Sequence, residues 1–339
     1  MTLAAPILEG NRLALARLLT QIENGSPEGQ AALNELFPRT GRAHLIGVTG
    51  APGTGKSTLV NQLARFYRRQ EGVSTRKRVG IVAVDPSSPF TGGAILGDRV
   101  RMQDLAGDPG VFIRSMASRG SLGGLASATA GIVQALDAAG FDLILIETVG
   151  AGQAEVDIAR LAHTTIVIEA PGLGDDIQAI KAGILEIADL LVINKADRPG
   201  VDTTERALRS SLGLAHPVAK VFRHHRHAIG EPVSPGVPVD QQIWSPPILR
   251  TIATDGTGIQ ELAEAIQGHR LFLEETGGWQ RRENVRLQSE LDAILQAALV
   301  DRWHATVPDR LYQQTLNKVV AREISPWQAV QTLLNGGGV

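Results

Sequence analysis

The stretch Gly50-Ala51-Pro52-Gly53-Thr54-Gly55-Lys56-Ser57-Thr58 decides the fold, because it fits G-x-x-x-x-G-K-[ST] and stands where that pattern has a mechanism. Before it, His44-Leu45-Ile46-Gly47-Val48-Thr49 reads as a short apolar strand. After it, Leu59-Val60-Asn61-Gln62-Leu63-Ala64-Arg65-Phe66 carries apolar residues at helical spacing. A strand, a glycine-rich turn and a helix start make a phosphate loop. The glycines let the backbone wrap a polyphosphate so closely that side chains would collide, and they let several N–H groups converge on it. The helix beginning at the loop adds its positive end. Gly53, Thr54, Gly55 and Thr58 then cradle the phosphates, Lys56 reaches the β- and γ-phosphates, and Ser57 offers its hydroxyl to Mg²⁺. A glycine-rich turn that matches by chance is the bland alternative, and the flanking strand and helix argue against it.

Working outward, apolar runs alternate with helical patterns. The expected strands are 45–49, 79–84, 111–114, 143–147, 165–169, 190–194 and 248–253. Most are continuous apolar runs without alternation, which implies a sheet buried on both faces and therefore mainly parallel. The expectation is an α/β fold of the P-loop NTPase type, with a doubly wound sheet and helical extensions at both ends. Residues 1–42 form the N-terminal helical extension, with an apolar stripe of Leu13, Leu15, Leu18, Leu19 and Ile22 and a break at Asn24-Gly25-Ser26-Pro27. Residues 43–275 form the nucleotide-binding domain, and 276–339 a helical arm. In that arm Leu287, Leu291, Ile294, Leu295, Ala298 and Leu299 make a stripe, and Ser325-Pro326 reads as an N-cap followed by Pro at the first helical position. The Pro- and His-rich stretch 216–247 is expected to be a long irregular connection.

Composition narrows the function classes. Among 339 residues, 33 Lys and Arg against 35 Asp and Glu give a formal net charge of -2, so no global basic field invites nucleic acid or an anionic membrane. No Cys is present, which excludes disulfides and thiolate metal sites. No secretory leader, transit peptide or run of eighteen apolar residues is found, so the expected location is the cytoplasm.

Four further acids and an amide complete a nucleotide constellation. Asn194-Lys195-Ala196-Asp197 ends an apolar strand in N-K-x-D. A carboxylate there accepts from both the ring N–H and the exocyclic amine of guanine. Adenine has no ring N–H at that edge and would leave Asp197 unpaired, so the ligand expected is GTP or GDP. Lys195 lies along the base and Asn194 braces the loop; a strand cap opening a polar loop is the plainer alternative. The strand 143–147 ends in Glu147, placed to hold Mg²⁺ or its water, and the Gly150 N–H is placed to meet the γ-phosphate. Ordinary regulatory GTPases carry Asp where this chain has Glu147. Asp85 closes the second strand, and ligands of parallel sheets bind beyond the carboxyl ends of the strands. The segment Gly92 to Met102, with Asp98, Arg99 and Arg101, suits a switch closing over Mg²⁺ and phosphate, or equally a surface loop running into a helix. Ala151 follows Gly150 where a catalytic glutamine is usual, and Gln153 comes two residues later. Slow intrinsic hydrolysis is expected, with a partner completing the site.

Together, the phosphate loop, Asp85-Pro86-Ser87-Ser88, Gly92-Gly93 with Ile95-Leu96-Gly97-Asp98, Glu147-Thr148-Val149-Gly150 with Gln153, and Asn194–Asp197 resemble the MeaB/ArgK-type GTPases. These are the G-protein chaperones of adenosylcobalamin-dependent acyl-CoA mutases such as methylmalonyl-CoA mutase. The resemblance implies Mg²⁺ held around Ser57, Asp85, Asp98 and Glu147, and Arg101 in a first switch. It implies a third switch over 171–181, in which Asp175, Gln178 and Lys181 respond to the nucleotide and help the mutase speed hydrolysis. Capping of a helix start would equally explain Asp175 and Asp176. It also implies a homodimer formed through the C-terminal helices, whereas the stripe 287–299 on its own would equally pack within the chain. Thr251-Ile252-Ala253-Thr254-Asp255-Gly256 stands at the fifth guanine-binding element, with Ala253 and Thr254 toward the base, but Ala253 replaces the small hydroxyl residue common there, leaving base contacts by this loop an open question.

Two other classes compete. His224, His225 and His227 raise a Ni or Zn metallochaperone, although there is no Cys to join them. A P-loop small-molecule kinase needs no N-K-x-D, so Asp197 counts against it.

Overall fold

The computed structural model describes residues 2–69, 76–86, 102, 104–105, 107–118, 124–148, 154–172, 185–214 and 243–336. Seven strands form one sheet: β1 His44–Gly50, β2 Val79–Pro86, β3 Val111–Ser118, β4 Leu143–Thr148, β5 Thr164–Glu169, β6 Leu190–Asn194 and β7 Ile248–Thr251. Their order is β3-β2-β4-β1-β5-β6-β7, and every pairing is parallel. The last strand stops at Thr251, short of the expected Ala253, because Ile252 leaves the ladder for an antiparallel bridge to Thr257.

Each strand sends alternate side chains to opposite faces, so neighbours in sequence fall into different cores. Leu45, Val82, Ile144 and Ile146 face one cluster, and Ile46, Ile81, Leu145 and Val48 face the other. On the first face lie α1 Ala4–Leu8, α2 Arg12–Glu23, α3 Pro27–Leu36 and α5 Gly124–Ala138. On the second lie α4 Lys56–Arg69 and α8 Ile259–Glu275. A third cluster joins Val167, Leu191 and Ile193 to Leu208 of α7 Val201–Leu214, and α6 Ala154–Leu161 lies between β4 and β5 in sequence. The N-terminal helices thus share one hydrophobic core with the sheet: Leu18 and Leu19 are wholly buried. Leu13 departs from the expected stripe and is 61% exposed. It precedes Leu15 by two residues, about 200° round the helix, so it faces away from Leu15, Leu18, Leu19 and Ile22. The chain from α3 into β1 is fixed by the Asp137 carboxylate, which accepts from the backbone N–H groups of Gly41 (2.6 Å), Arg42 (3.2 Å) and Ala43 (3.0 Å).

The chain divides into two compact units, Met1–Leu287 and Gln288–Val339. The helix α9 Gly278–Thr306 begins in the first unit. Its opening turns dock on a buried polar cluster at the amino ends of the strands. His44 Nε2 lies 2.7 Å from Thr164 Oγ1, which lies 2.9 Å from His269 Nδ1. Asp189, 3.3 Å from His269 Nε2, takes two bonds from Arg282, at 2.6 and 2.7 Å. His163 accepts from the Leu45 N–H through Nδ1, so its Nε2 carries the proton donated to Glu283, 2.5 Å away. Trp279 stacks on the His163 ring at 3.8 Å, and Glu283 is also held by Arg286.

The second unit contains the rest of α9 with α10 Asp309–Val320 and α11 Pro326–Gly336. Ser325 caps α11 as its sequence suggests: its Oγ accepts from the Gln328 N–H, and the Gln328 side chain accepts from the Ser325 N–H. Leu291, Leu295 and Leu299 are more than half exposed. Among the described residues, no helix is long and apolar enough to cross a membrane.

Candidate nucleotide site

Among the described residues, the motif residues sit at the carboxyl ends of parallel strands, and the register brings them to one edge. Val48 of β1 pairs with Glu147 of β4, Gly50 with Ile168 of β5, and Asn194 of β6 with Thr251 of β7. The loop from Gly50 to Lys56 requires glycine at two points. Gly50 has φ +144°, and a Cβ there would lie 2.1 Å from the Ile168 carbonyl oxygen. At Gly55, φ is +95° and a Cβ would meet the Asn194 amide nitrogen at 2.4 Å. Each position combines a backbone conformation closed to L side chains with a neighbour that leaves no room.

Within the loop, the Lys56 ammonium is buried and donates to the carbonyls of Gly50 (2.9 Å) and Ala51 (3.0 Å). Thr54 Oγ1 donates to the Ala51 carbonyl at 3.0 Å. Thr58 is half-buried in the first turn of α4. Ser57 Oγ donates to Glu147 Oε1 at 2.5 Å, and both residues are buried. A hydroxyl and a carboxylate from two adjacent element ends are hard oxygen donors of the kind Mg²⁺ takes.

At the other end, one amide ties three loops together. Asn194 Nδ2 donates to the Thr54 carbonyl at 2.7 Å, while its Oδ1 accepts from the Ala253 N–H at 3.0 Å and from Thr251 Oγ1 at 3.1 Å. Lys195 adopts φ +59°, uncommon for a residue with a Cβ. It is held there by its own Nζ on the Gly53 carbonyl (2.5 Å) and by the Ala196 N–H on the Thr251 carbonyl (3.0 Å). Asp197 follows, exposed, as does Thr254.

Residues 15–307 match the family model described as Methylmalonyl Co-A mutase-associated GTPase MeaB. The chain belongs to the MeaB family. Relatives agree along nearly the whole length. A putative GTPase of Pyrococcus horikoshii is 43% identical over 96% of this chain and 94% of its own, and the GTPase ArgK of Escherichia coli is 35% identical over 96% and 92%. The mitochondrial methylmalonic aciduria type A homolog of Caenorhabditis elegans is 28% identical over 97% and 80%. Among solved structures, an LAO/AO transport system kinase superposes with a TM-score of 0.68 at 27% identity, covering 98% of this chain and 95% of that one.

A GTPase of the MeaB family binds a guanine nucleotide, and the residues described at this edge are of the kind that fit one. The cradle at Gly50 and Gly55 has no space for side chains, Lys56 lies within the loop it serves, and Ser57 with Glu147 supplies oxygen donors. Asp85 lies in β2 in register with Ala117, placed by its backbone. Asp98, Arg101, Gly150, Gln153, Asp175, Gln178 and Lys181 lie outside the described residues, as do His224, His225 and His227. The fifth element is clarified. Ala253 is buried and its N–H is spent on Asn194, so this loop holds the amide from behind. Thr251, the first residue of that stretch, joins it there through its hydroxyl.

Proposed function

We propose that the chain is a GTP-hydrolysing chaperone whose nucleotide state gates adenosylcobalamin loading, protection or reactivation of a cobalamin-dependent acyl-CoA mutase. The observation that carries this reading is the match of residues 15–307 to the mutase-associated MeaB family, joined to a site whose base-binding loop is clasped to its phosphate loop through Asn194.

In this reading Asp197 accepts from the guanine ring N–H and exocyclic amine, Lys195 lies along the base, and Ala253 and Thr254 close the loop around it. Lys56 exchanges its two carbonyl partners for the β- and γ-phosphate oxygens. Ser57 and Glu147, with Asp85 and Asp98, hold Mg²⁺, which supplies charge neutralisation on the phosphates. The Ser57 hydroxyl and the Glu147 carboxylate, 2.5 Å apart, are the described oxygens that would hold the ion. Arg101 in the first switch, the Gly150 N–H, and Gln178 and Lys181 in the third switch report the γ-phosphate to the mutase. Lacking a glutamine next to Gly150, the chain hydrolyses GTP slowly alone and faster when the mutase completes the site. The exposed Leu291, Leu295 and Leu299, spaced i, i+4, i+8, support a homodimer through the C-terminal helices. The location that goes with this role is the cytoplasm, and fractionation of the source cells tests it.

The test is calorimetry with GDP and ADP in Mg²⁺, followed by hydrolysis assays with and without an adenosylcobalamin-dependent acyl-CoA mutase. The expected result is binding of GDP alone, its loss in Asp197→Ala, and a GTPase rate at least about tenfold higher with the mutase. Equal binding of ADP overturns the site assignment, and a rate indifferent to every mutase tried overturns the partner.

A further inference from the structure

The amino ends of β2, β3 and β4 carry a concentration of positive charge, at the edge of the sheet opposite the phosphate loop and one strand length, roughly 20 Å, from it. Arg68 lies in the last turn of α4 and Arg76-Lys77-Arg78 leads into β2, so a chain with a formal net charge of -2 gathers cations at both ends of one connection. Arg12, from the first turn of α2, joins them. Its Nη1 donates to the Pro109 carbonyl at 2.6 Å and its Nη2 to the Val111 carbonyl at 2.7 Å. Arg78 Nη1 donates to the Ala139 carbonyl at 2.7 Å, and Arg68 Nη1 to the Lys77 carbonyl at 2.9 Å. Two aromatic rings back the guanidinium groups. Arg12 Cζ lies 5.5 Å from the centre of Phe112 and Arg78 Cζ 4.5 Å from that of Phe141, and the two rings meet edge to face at 6.3 Å.

Carboxylates do not balance this charge. Asp108 is taken by Arg68 through both oxygens, at 2.6 and 2.8 Å, and Asp142 accepts the Arg78 backbone N–H at 2.6 Å. Among the described residues, Arg12, Arg76, Lys77 and Arg78 have no carboxylate within ion-pair distance. The repulsion registers at Arg78: burial holds its pKa below the ordinary value, Asp142 pulls it up, and Arg12 and Arg68 push it down again. Capping the turns before β3 and β4 takes only part of each guanidinium. Nε of Arg12, and Nε and Nη2 of Arg78, donate to nothing among the described residues, so both forks keep donors while already fixed in place.

We propose that this edge is a binding site for a small soluble anion carrying two or more phosphate groups, gripped by Arg12 of α2 and by Arg76, Lys77 and Arg78 at the head of β2. Phosphate is the class because its oxygens accept from several planar guanidinium forks at once. One phosphate monoester carries at most about two negative charges, too few for four cations beside the single carboxylate of Asp142. The chain as a whole offers no basic field to nucleic acid or a membrane, so the local charge fits a compact anion. The site stands apart from the nucleotide edge and does not depend on how that edge is read.

The probe is inorganic tripolyphosphate, titrated calorimetrically into the full chain with saturating GDP present to keep it off the phosphate loop. The expected result is one site with a dissociation constant of about 10–100 μM in about 50 mM salt, weakening about tenfold at about 200 mM. Arg12→Gln and Arg76→Gln should each weaken binding at least about fivefold, whereas Arg209→Gln, which removes an equal charge on α7, should change it less than about twofold. Arg76 is exposed, so its variant is read even where Arg12→Gln, which uncaps the turn before β3, fails to fold. Binding should persist in Lys56→Ala, whose phosphate loop is disabled. No heat at about 1 mM tripolyphosphate, equal weakening in Arg209→Gln, or loss of binding in Lys56→Ala overturns the proposal. Pelleting of the chain with phosphatidylglycerol vesicles that tripolyphosphate fails to prevent also overturns it, because the charge would then serve a membrane.

Discussion

Acidification from pH 7 to pH 5 tests the buried cluster under the sheet. His44, His163 and His269 are each almost inaccessible, and each is held below its ordinary pKa. Burial brings His269 down to about 4, the Asp189 carboxylate pulling it up while Arg282 and His163 push it down. For His44, burial dominates, with His163, Arg270, His269 and Lys77 adding in the same direction. For His163, burial outweighs the bond to Glu283. A histidine whose folded pKa lies below its unfolded value binds fewer protons when folded. Its contribution to stability is therefore complete above about pH 6.5 and is lost as pH falls toward the folded value. Integrated between pH 7 and pH 5, a shift from about 6.5 to about 4 costs about 2 kcal/mol for His269 alone. The other two histidines act with the same sign. Glu283 is the opposite case. Burial alone would raise it, but hydrogen bonds from His163 and Arg286 bring it down to about 2, so its contribution is lost only below about pH 4.5, outside the window. The assay is urea unfolding followed by the fluorescence of Trp244 and Trp279, which pack on His269 and His163. The midpoint should fall by about 1 M urea from pH 7 to pH 5. In His269→Gln, which does not titrate, the pH dependence should shrink by about 2 kcal/mol whatever the variant's stability at pH 7. A flat profile for the natural chain, or an undiminished slope in His269→Gln, refutes the reasoning.

Two further substitutions probe the structure. Gly55→Ala places a methyl group 2.4 Å from Asn194 Nδ2 at φ +95°, and GDP affinity measured by calorimetry should fall at least about 30-fold; a change under about threefold would mean the clasp does not form. Asp137→Asn replaces one carboxylate oxygen among three backbone N–H donors by a further donor. The expected cost is about 2 kcal/mol of thermal stability with GDP binding intact, and a loss under about 0.5 kcal/mol would contradict it.

The difference between what the sequence disclosed and what it hid follows the two ends of the sheet. At the carboxyl ends, β1 hands over to the phosphate loop, β4 carries Glu147 and β6 ends in Asn194, each in a short motif of fixed chemistry. Because all seven strands run in parallel, those of the motif residues that are described share one edge. Ser57 and Glu147 are 90 residues apart and share a hydrogen bond, and Asn194 reaches Thr54 across 140 residues. Neither contact needed a register to be guessed, since order along a parallel strand already puts its last residue at the common edge. At the amino ends no such rule operates. His44 meets Thr164 across 120 residues, and Thr164 meets His269 across 105, yet each is only a polar letter before an apolar run or inside a helix. Their meeting depends on which strand neighbours which, and on where α8 places His269. Those are tertiary facts with no local spacing to carry them. Thr251 falls between the two cases. It lies at the legible edge, but its role comes from pairing with Asn194 across β6 and β7, so only the ladder reveals it. A motif search finds the atoms that touch a ligand, because their chemistry restricts residue type. The atoms that orient them need only a donor at the right distance, which many residue types and positions could supply.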